Sequence, residues 1–422
     1  MTLPTSLTSV GRSAFAGCNS LGGVYITDLA KWCGIEFANT QANPLSANGN
    51  LYLNNALVTK LSVPESVTKI GANAFYGLKN LTGVYITDLA KWCAIDFGNA
   101  YSNPLTANGK LYLNNALVTE LTVPASVTAI GDYAFYHCTS LTKVSISSAT
   151  VDIGANAFAG CSGIQTLTVS ENTAISRIGS FAFGDCGGLK TVTLPAKVAA
   201  VSHTAFTACN AISTLTAPAS VLGYLPKDSL ATLVINGGDT VAESALTGAK
   251  KLTAVTVGQS ITRIEKNAFA DCTALAKVDT EDIGVWCAID FGNAKSNPLY
   301  YAGKLYHNGT EVVTLSLPSS VTAVSDYAFV GCTSLKTLTL PSSVTSIGLR
   351  AFADCAALTK VTFTTNLKRI APYAFAGCTA LTTVSGGGTG WQVFATTDAT
   401  GTSATVSATA LKTTYSAYLW KC

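Results

Sequence analysis

The chain has 422 residues, 48% of them hydrophobic and only 12% charged, with a formal net charge of +3. That leaves ample material for a core at about half the usual ~25% charge content, and no Lys/Arg run of the kind that tracks a nucleic-acid backbone. No apolar stretch approaches the ~18 residues needed to cross a bilayer, and the opening MTLPTSLTSVGRSAF lacks the charged start and apolar block of a secretory leader.

Along the chain the dipeptide Ala-Phe recurs, ending at Phe15, Phe75, Phe135, Phe158, Phe183, Phe206, Phe269, Phe329, Phe352 and Phe375. Several gaps are 23 residues and three are 60. Around each lies one pattern, clean in LKTLTLPSSVTSIGLRAFADCAAL from Leu335 to Leu358. Counting from the second apolar residue of each L-x-x-V places rung starts at 1, 24, 61, 84, 121, 144, 167, 192, 215, 233, 255, 278, 315, 338, 361 and 384. Most intervals are 22 to 25, one is short (215 to 233), and three are 37 (from 24, 84 and 278). The chain therefore reads as one repeat array with three expanded rungs.

Each unit has a reason to fold and a reason to need neighbours. V-x-L has the period of two of a strand, and the proline after it (Pro4, Pro64, Pro124, Pro195, Pro218, Pro318, Pro341) ends the pairing because it lacks an N–H. S-V-T-x-I reads as a second short strand. A-F-x-G-C-x-x-L reads as a turn of helix. One such unit cannot bury its own apolar side, whereas stacked units can.

The expanded rungs open with TDLAKWC at Thr27 and Thr87 and with TEDIGVWC ending at Cys287. TDLAKWCAIDF predicts a short helix with Asp88 or Thr87 as N-cap and Leu89, Trp92 and Cys93 on one face. GNAYSNPLTANG is turn-rich. KLYLNNALVTELTVP predicts a hairpin turning at Asn114-Asn115. The extra residues are read as a helix plus a projecting hairpin in place of the Ala-Phe-Cys turn, with Trp32, Trp92 and Trp286 plugging the enlarged core. The competing reading is a ligand pocket under each Trp, using Asp28, Asp88 and Asp282.

The LPSSVTSIG..AF..C..L units resemble the BspA-like leucine-rich repeats of bacterial and protist surface proteins, over roughly residues 1 to 384. Ala245-Leu246 in place of Ala-Phe, Leu78 in place of Cys and the short rung at 215 depart from the pattern. The resemblance implies an α/β repeat solenoid: a curved array of about 15–16 rungs with a parallel β-sheet, three expanded rungs carrying a short helix plus hairpin, and a C-terminal cap. The implied division is 1–386 for the repeats and 387–422 for the cap. The resemblance also implies a secreted or cell-surface adhesin without catalysis, binding host matrix proteins, host cells or other microbes. Fibronectin and fibrinogen are the first partners to test.

The thirteen cysteines include no C-x-x-C. Nine occupy the repeat position (Cys18, Cys138, Cys161, Cys186, Cys209, Cys272, Cys332, Cys355, Cys378), and a ladder of small buried free thiols is expected rather than disulfides between rungs. The three histidines fall in different rungs. No Walker loop, G-x-S-x-G or H-E-x-x-H is present, so no catalytic residue, metal or cofactor is assigned.

The outward strand positions are Ser or Thr in most rungs and become Tyr25, Tyr85 and Asp279 in the expanded ones. The positions before them add Lys60, Lys143, Lys277 and Lys360. Threonine suits an exposed strand for local reasons. The same face also offers an extended surface for an extracellular protein or glycan, with Tyr25 and Tyr85 as anchors and the four lysines around them. At the end, WQVFATTDATGTSATVSA reads as two strands and TALKTTYSAYLWKC as a helix. Residue 1 falls on the rung grid, so either a leading segment is missing or the first rung is an exposed edge; such an edge could pair with another chain, which makes a self-associating structural protein the alternative function.

Overall fold

Each rung opens with a strand of three or four residues whose alternate side chains face opposite ways. In Glu120–Val123, Leu121 and Val123 are buried while Glu120 and Thr122 are exposed. Rung stacks on rung in register: Leu121 pairs with Val144, Val144 with Leu167 and Leu167 with Val192, all parallel. Leu315, Leu338, Val361 and Val384 form an equivalent column. These are the rung starts expected from the spacing. A second, two-residue strand follows in most rungs and builds its own parallel ladder, for example Ile130, Ile153 and Ile178.

The computed structural model describes residues 1–147, 149–150, 152–171, 173 and 175–386, together with strands Trp391–Ala395, Ala404–Thr405 and Ala417–Lys421. They divide into two compact units: Met1–Ile212 with Tyr224–Pro226, and Ser213–Gly223 with Lys227–Cys422.

The Ala-Phe-Cys segment is not a turn of helix but a string of tight turns. The residue before Ala-Phe adopts positive φ in nearly every rung, as at Tyr133 (61°) and Asn156 (55°). This points the Phe inward, where the rings stack. In the first unit Phe135, Phe158, Phe183 and Phe206 lie 4.9 to 5.2 Å apart and within 9° of parallel. In the second unit Phe329, Phe352 and Phe375 do the same at 4.9 and 5.3 Å. The N–H groups of Phe135, Phe158, Phe183, Phe329 and Phe352 donate across to the next rung, Phe135 to Ala157 O at 2.7 Å.

The cysteines are filling with a polar function of their own. The Cys161 thiol donates to the Phe135 carbonyl of the rung before it (3.0 Å), and Cys186, Cys209, Cys355 and Cys378 repeat the bond to Phe158, Phe183, Phe329 and Phe352. Each of these carbonyls also accepts a backbone N–H from its own rung, Phe135 O from Cys138 N at 2.9 Å, so the thiol is a second, weak donor on a group already satisfied. Cys138 and Cys332 follow expanded rungs that offer no Phe carbonyl, and they sit beside Ser140 and Ser334 instead. All twelve described cysteines are free. Cys18 departs from the expected burial: it is exposed.

The expanded rungs differ from the sequence reading in construction. The helix Leu89–Cys93 lies between the main strand and the second strand Asp96–Phe97, so it replaces the Pro-Ser-Val segment, not the Ala-Phe-Cys turn. That turn is replaced by Asn-Pro-Leu, as in the short 3-10 segment Pro104–Ala107. The first arm of the hairpin does not project. Leu111–Leu113 is itself a ladder strand, parallel to Gly83–Ile86. Only its partner Ala116–Leu117 runs antiparallel, after Asn114-Asn115 at φ 49° and 66°. A sheet ends at each such hairpin: in the first unit, main strands 24–26, 51–53 and 56–57 form one sheet and 60–62, 83–86, 111–113 and 116–117 the next.

Past Gly386, the C-terminal helix read over the last residues is overturned where the structure describes them. Ala417–Lys421 is a strand, antiparallel to Arg369–Ile370 and to Trp391–Ala395. The unpaired edge of 369–370 supplies the backbone partners that a helix would have forgone, and Tyr-Leu-Trp suits a strand. The rest of the expected helix lies outside the described residues.

Candidate binding surface

The Trp–Cys segments resolve into packing. Asp28, Asp88 and Asp282 cap their helices, each carboxylate accepting two backbone N–H groups: Ala30 and Lys31, Ala90 and Lys91, Gly284 and Val285. Trp32, Trp92 and Trp286 are fully buried against Phe37, Phe97 and Phe291, with ring centroids 5.3 to 5.5 Å apart. The cleft beside Trp92 holds about 10 Å³, room for one water, and the Lys91–Glu65 ion pair (2.6 Å) borders it. Burial, with the capping aspartate a lesser influence, pushes the thiols of Cys33 and Cys93 up to about 12. That is the reverse of what a reactive or metal-binding cysteine needs. Among the described residues no three His, Cys, Asp or Glu side chains are grouped to hold a metal.

The residue that organises each expanded rung was missed in the sequence. Asn103 is fully buried, its Nδ2 donating to Tyr133 O (2.7 Å) and Ala134 O (3.0 Å) and its Oδ1 accepting from Leu105 N (2.9 Å). Asn43 and Asn297 make the same three bonds. Trp92 Nε1 and Trp286 Nε1 donate to the equivalent carbonyls, Ala134 O (2.8 Å) and Ala328 O (2.7 Å), whereas Trp32 Nε1 is buried without a partner among the described residues. The signal was present: Asn-Pro-Leu occurs in all three expanded rungs, at 43, 103 and 297.

The outward face of the main strands carries the candidate surface. Tyr25 stacks flat on Tyr52 and Tyr85 on Tyr112, at 4.5 Å in both pairs, with ring planes 10° and 9° apart. The second tyrosine of each pair sits on the hairpin arm that sequence reading had placed away from the array. Glycine makes this possible: a Cβ at Gly23 would come within 2.6 Å of the Tyr52 ring, and one at Gly83 would collide with Tyr112. Opposite Tyr52 and Tyr112 stand Leu57 and Leu117, 39% and 41% exposed. Two apolar platforms result, Tyr25–Tyr52–Leu57 and Tyr85–Tyr112–Leu117.

The candidate lysines divide. Lys60 pairs in register with Gly83, and its Nζ lies over Tyr85 at 5.6 Å, so these two are brought together. Lys143 instead faces Glu120 at 3.7 Å, and Lys360 stands between Thr337 and Thr383. Lys277 belongs to the third platform, where chemistry is exchanged on the same backbone. It takes the place of the glycine, Asp279 that of the first tyrosine and Glu311 that of the leucine. Lys277 Nζ lies 4.7 Å over Tyr306 and 3.2 Å from Asp279, and Lys304 pairs with Glu311 at 3.8 Å. Elsewhere the face is a Ser/Thr ladder, as expected: Thr122, Ser145, Thr168 and Thr193 are register partners.

The sequence profile of the BspA type leucine-rich repeat region, six copies, matches residues 46–94, 108–230, 228–285 and 303–394. The chain belongs to the BspA-type leucine-rich repeat family. The unmatched stretches 95–107 and 286–302 hold the Asn-Pro-Leu turns of two expanded rungs. Among solved structures, a leucine-rich repeat protein from Bacteroides ovatus is 22% identical, with 78% of this BspA-type chain and 82% of that one covered and a TM-score of 0.35. A leucine rich cell surface protein from Faecalibacterium prausnitzii is 21% identical, covering 64% and 88%, with a TM-score of 0.25. A leucine-rich repeat protein from Eubacterium ventriosum is 17% identical, covering 89% and 88%, with a TM-score of 0.26. These likenesses concern the fold alone. No curated protein matches the chain.

Proposed function

We propose that this BspA-type chain is a non-catalytic binding protein, secreted or displayed at a cell surface, that adheres through its strand face to an extracellular protein or glycan. In this reading residues 1–386 form the binding array and 387–422 cap it. The observation that carries the proposal is the pair of tyrosine platforms. Stacked rings locked by glycine lose little side-chain freedom on binding, and rigid aromatics beside exposed leucines are the usual anchors of a protein contact. The surrounding Ser/Thr face carries little charge to desolvate. Among the described residues no helix is long and apolar enough to cross a membrane.

The test is binding to immobilised fibronectin and fibrinogen. Saturable binding is expected, weakened at least tenfold in the Tyr85→Ala/Tyr112→Ala variant and also in Leu57→Ser/Leu117→Ser, which leaves the stacks intact. Absence of saturable binding to both proteins, or equal binding by both variants, counts against the reading. A second copy of the chain is the other occupant the face could take, and light scattering that rises with concentration would favour it.

A further inference from the structure

The turn edge of the second unit carries an open cleft of about 360 Å³ lined by Asn267, Asn293, Ala294, Lys295, Tyr327 and Arg350. The only charged residues in its wall are two cations. Neither Lys295 nor Arg350 forms an ion pair with a carboxylate among the described residues. Arg350 is held in place: its guanidinium lies 5.1 Å over the Tyr373 ring, and its backbone sits at φ 50°. Asn293 Nδ2 donates to Asn267 Oδ1 (3.0 Å), which fixes both amides. Asn267 Nδ2 is left with no acceptor among the described residues, whereas the equivalent Asn73 Nδ2 donates to Phe37 O.

The repeats supply an internal control. Lys295 O accepts from Phe269 N as Gln41 O does from Phe15 N and Tyr101 O from Phe75 N, so these three occupy one structural position. The residue before Ala-Phe, which is Arg350 here, is Asn73 and Asn156 elsewhere. The scaffold thus folds with uncharged residues at both positions, and the cation pair answers to something other than folding. Two cations lining one cleft with no carboxylate to offset them favour an anion there. A guanidinium and an ammonium in the same wall suit an oxyanion, while amide groups and a tyrosine ring suit hydroxyls and a sugar face.

We propose that this cleft binds an acidic sugar, its carboxylate or sulfate between Lys295 and Arg350 and its ring against Tyr327. The site is separate from the tyrosine platforms and does not depend on the function proposed for them. The probes are a hyaluronan tetrasaccharide for carboxylate, a heparin tetrasaccharide for sulfate and chitotetraose as the neutral reference, titrated calorimetrically into the full chain. One or both acidic sugars should bind, more weakly as salt is raised, and the preferred one identifies the anion. Lys295→Gln and Arg350→Asn, which install residues that other rungs already carry there, should each weaken binding about tenfold, while Tyr85→Ala/Tyr112→Ala leaves it unchanged. The proposal is overturned if no acidic sugar binds at millimolar concentration, if chitotetraose binds as tightly, if both cleft variants bind normally, or if the tyrosine variant is the one that loses binding.

Discussion

Raising the pH should unfold the first unit by about pH 10. Burial pushes the thiols of Cys33 and Cys93 up to about 12 and that of Cys138 to about 11, and raises that of Cys161; Cys186 is raised by its hydrogen bond with Cys209 and then by burial. An unfolded thiol ionises near pH ~8.5. Between those values the unfolded chain has released protons that the folded chain still holds, so stability falls as pH rises. The stabilising contribution is complete below about pH 8.5 and drains away toward pH 11–12. Each thiol forfeits roughly 2 kcal/mol by pH 10, so the five together forfeit on the order of 10 kcal/mol, comparable to the ~5–15 kcal/mol stability of a whole domain. The second unit, with Cys287, Cys332 and Cys355 raised in the same way, should follow at higher pH. Circular dichroism across pH 7 to 11.5 under reducing conditions checks this. A fold that survives to pH 11 would show that the thiols are solvated, not filling.

The second large effect is expected at the Asn-Pro-Leu turn. Asn103→Ala leaves the buried Leu105 N–H without its acceptor, while Tyr133 O and Ala134 O keep Tyr136 N–H and Trp92 Nε1 as donors. At ~1–3 kcal/mol for the orphaned donor, plus the lost amide bonds and the space vacated, the cost should be about 2–4 kcal/mol. Trp92→Ala should cost a similar ~3–5 kcal/mol through its cavity. The two share the Ala134 carbonyl, so their effects should be coupled rather than additive. A finer comparison comes from Trp→Phe. Trp92→Phe forfeits the bond to Ala134 O, whereas Trp32→Phe removes an indole N–H that has no partner among the described residues. The first should be worse by about 1 kcal/mol. Urea unfolding read from the far-ultraviolet signal decides. An Asn103→Ala midpoint equal to that of the wild type would mean that the turn is held by something other than its asparagine.

The regular rungs were legible because one side chain per rung, Leu or Val at the strand centre, sets both the spacing and the register. Val84, Leu121, Val144 and Leu167 sit where the count placed them. The helix with Asp88 as cap and Leu89, Trp92 and Cys93 inward was legible for the same reason: its signals are local. The strand Leu111–Leu113 was not, because three residues carry no period long enough to reveal a partner, and its partner Gly83–Ile86 is set by stacking. That error hid Tyr52 and Tyr112 and so halved each platform. Asn103 was read as a turn residue because asparagine usually is one; its burial comes from the next rung, whose carbonyls it satisfies. At the C-terminus the spacing of Leu411, Tyr415, Tyr418 and Leu419 suggested a helix, while the aromatic-rich Ala-Tyr-Leu-Trp-Lys served a strand once the edge at Arg369–Ile370 was available. Of the surface residues, Tyr25, Tyr85 and Lys60 were found from their outward phase. Lys143 and Lys360 share that phase without sharing a cluster.

The claim on which the account turns is that sulfur and aromatic side chains fill the rungs, leaving function to the outer faces. Alkylation followed by mass spectrometry, on protein never exposed to reductant, tests it directly. In denaturant all twelve described cysteines should alkylate, and in the folded protein only Cys18 among them should react quickly. Finding only three or four reactive thiols in denaturant, the rest paired as disulfides, or fast labelling of Cys93 and Cys161 in the folded state, would contradict it.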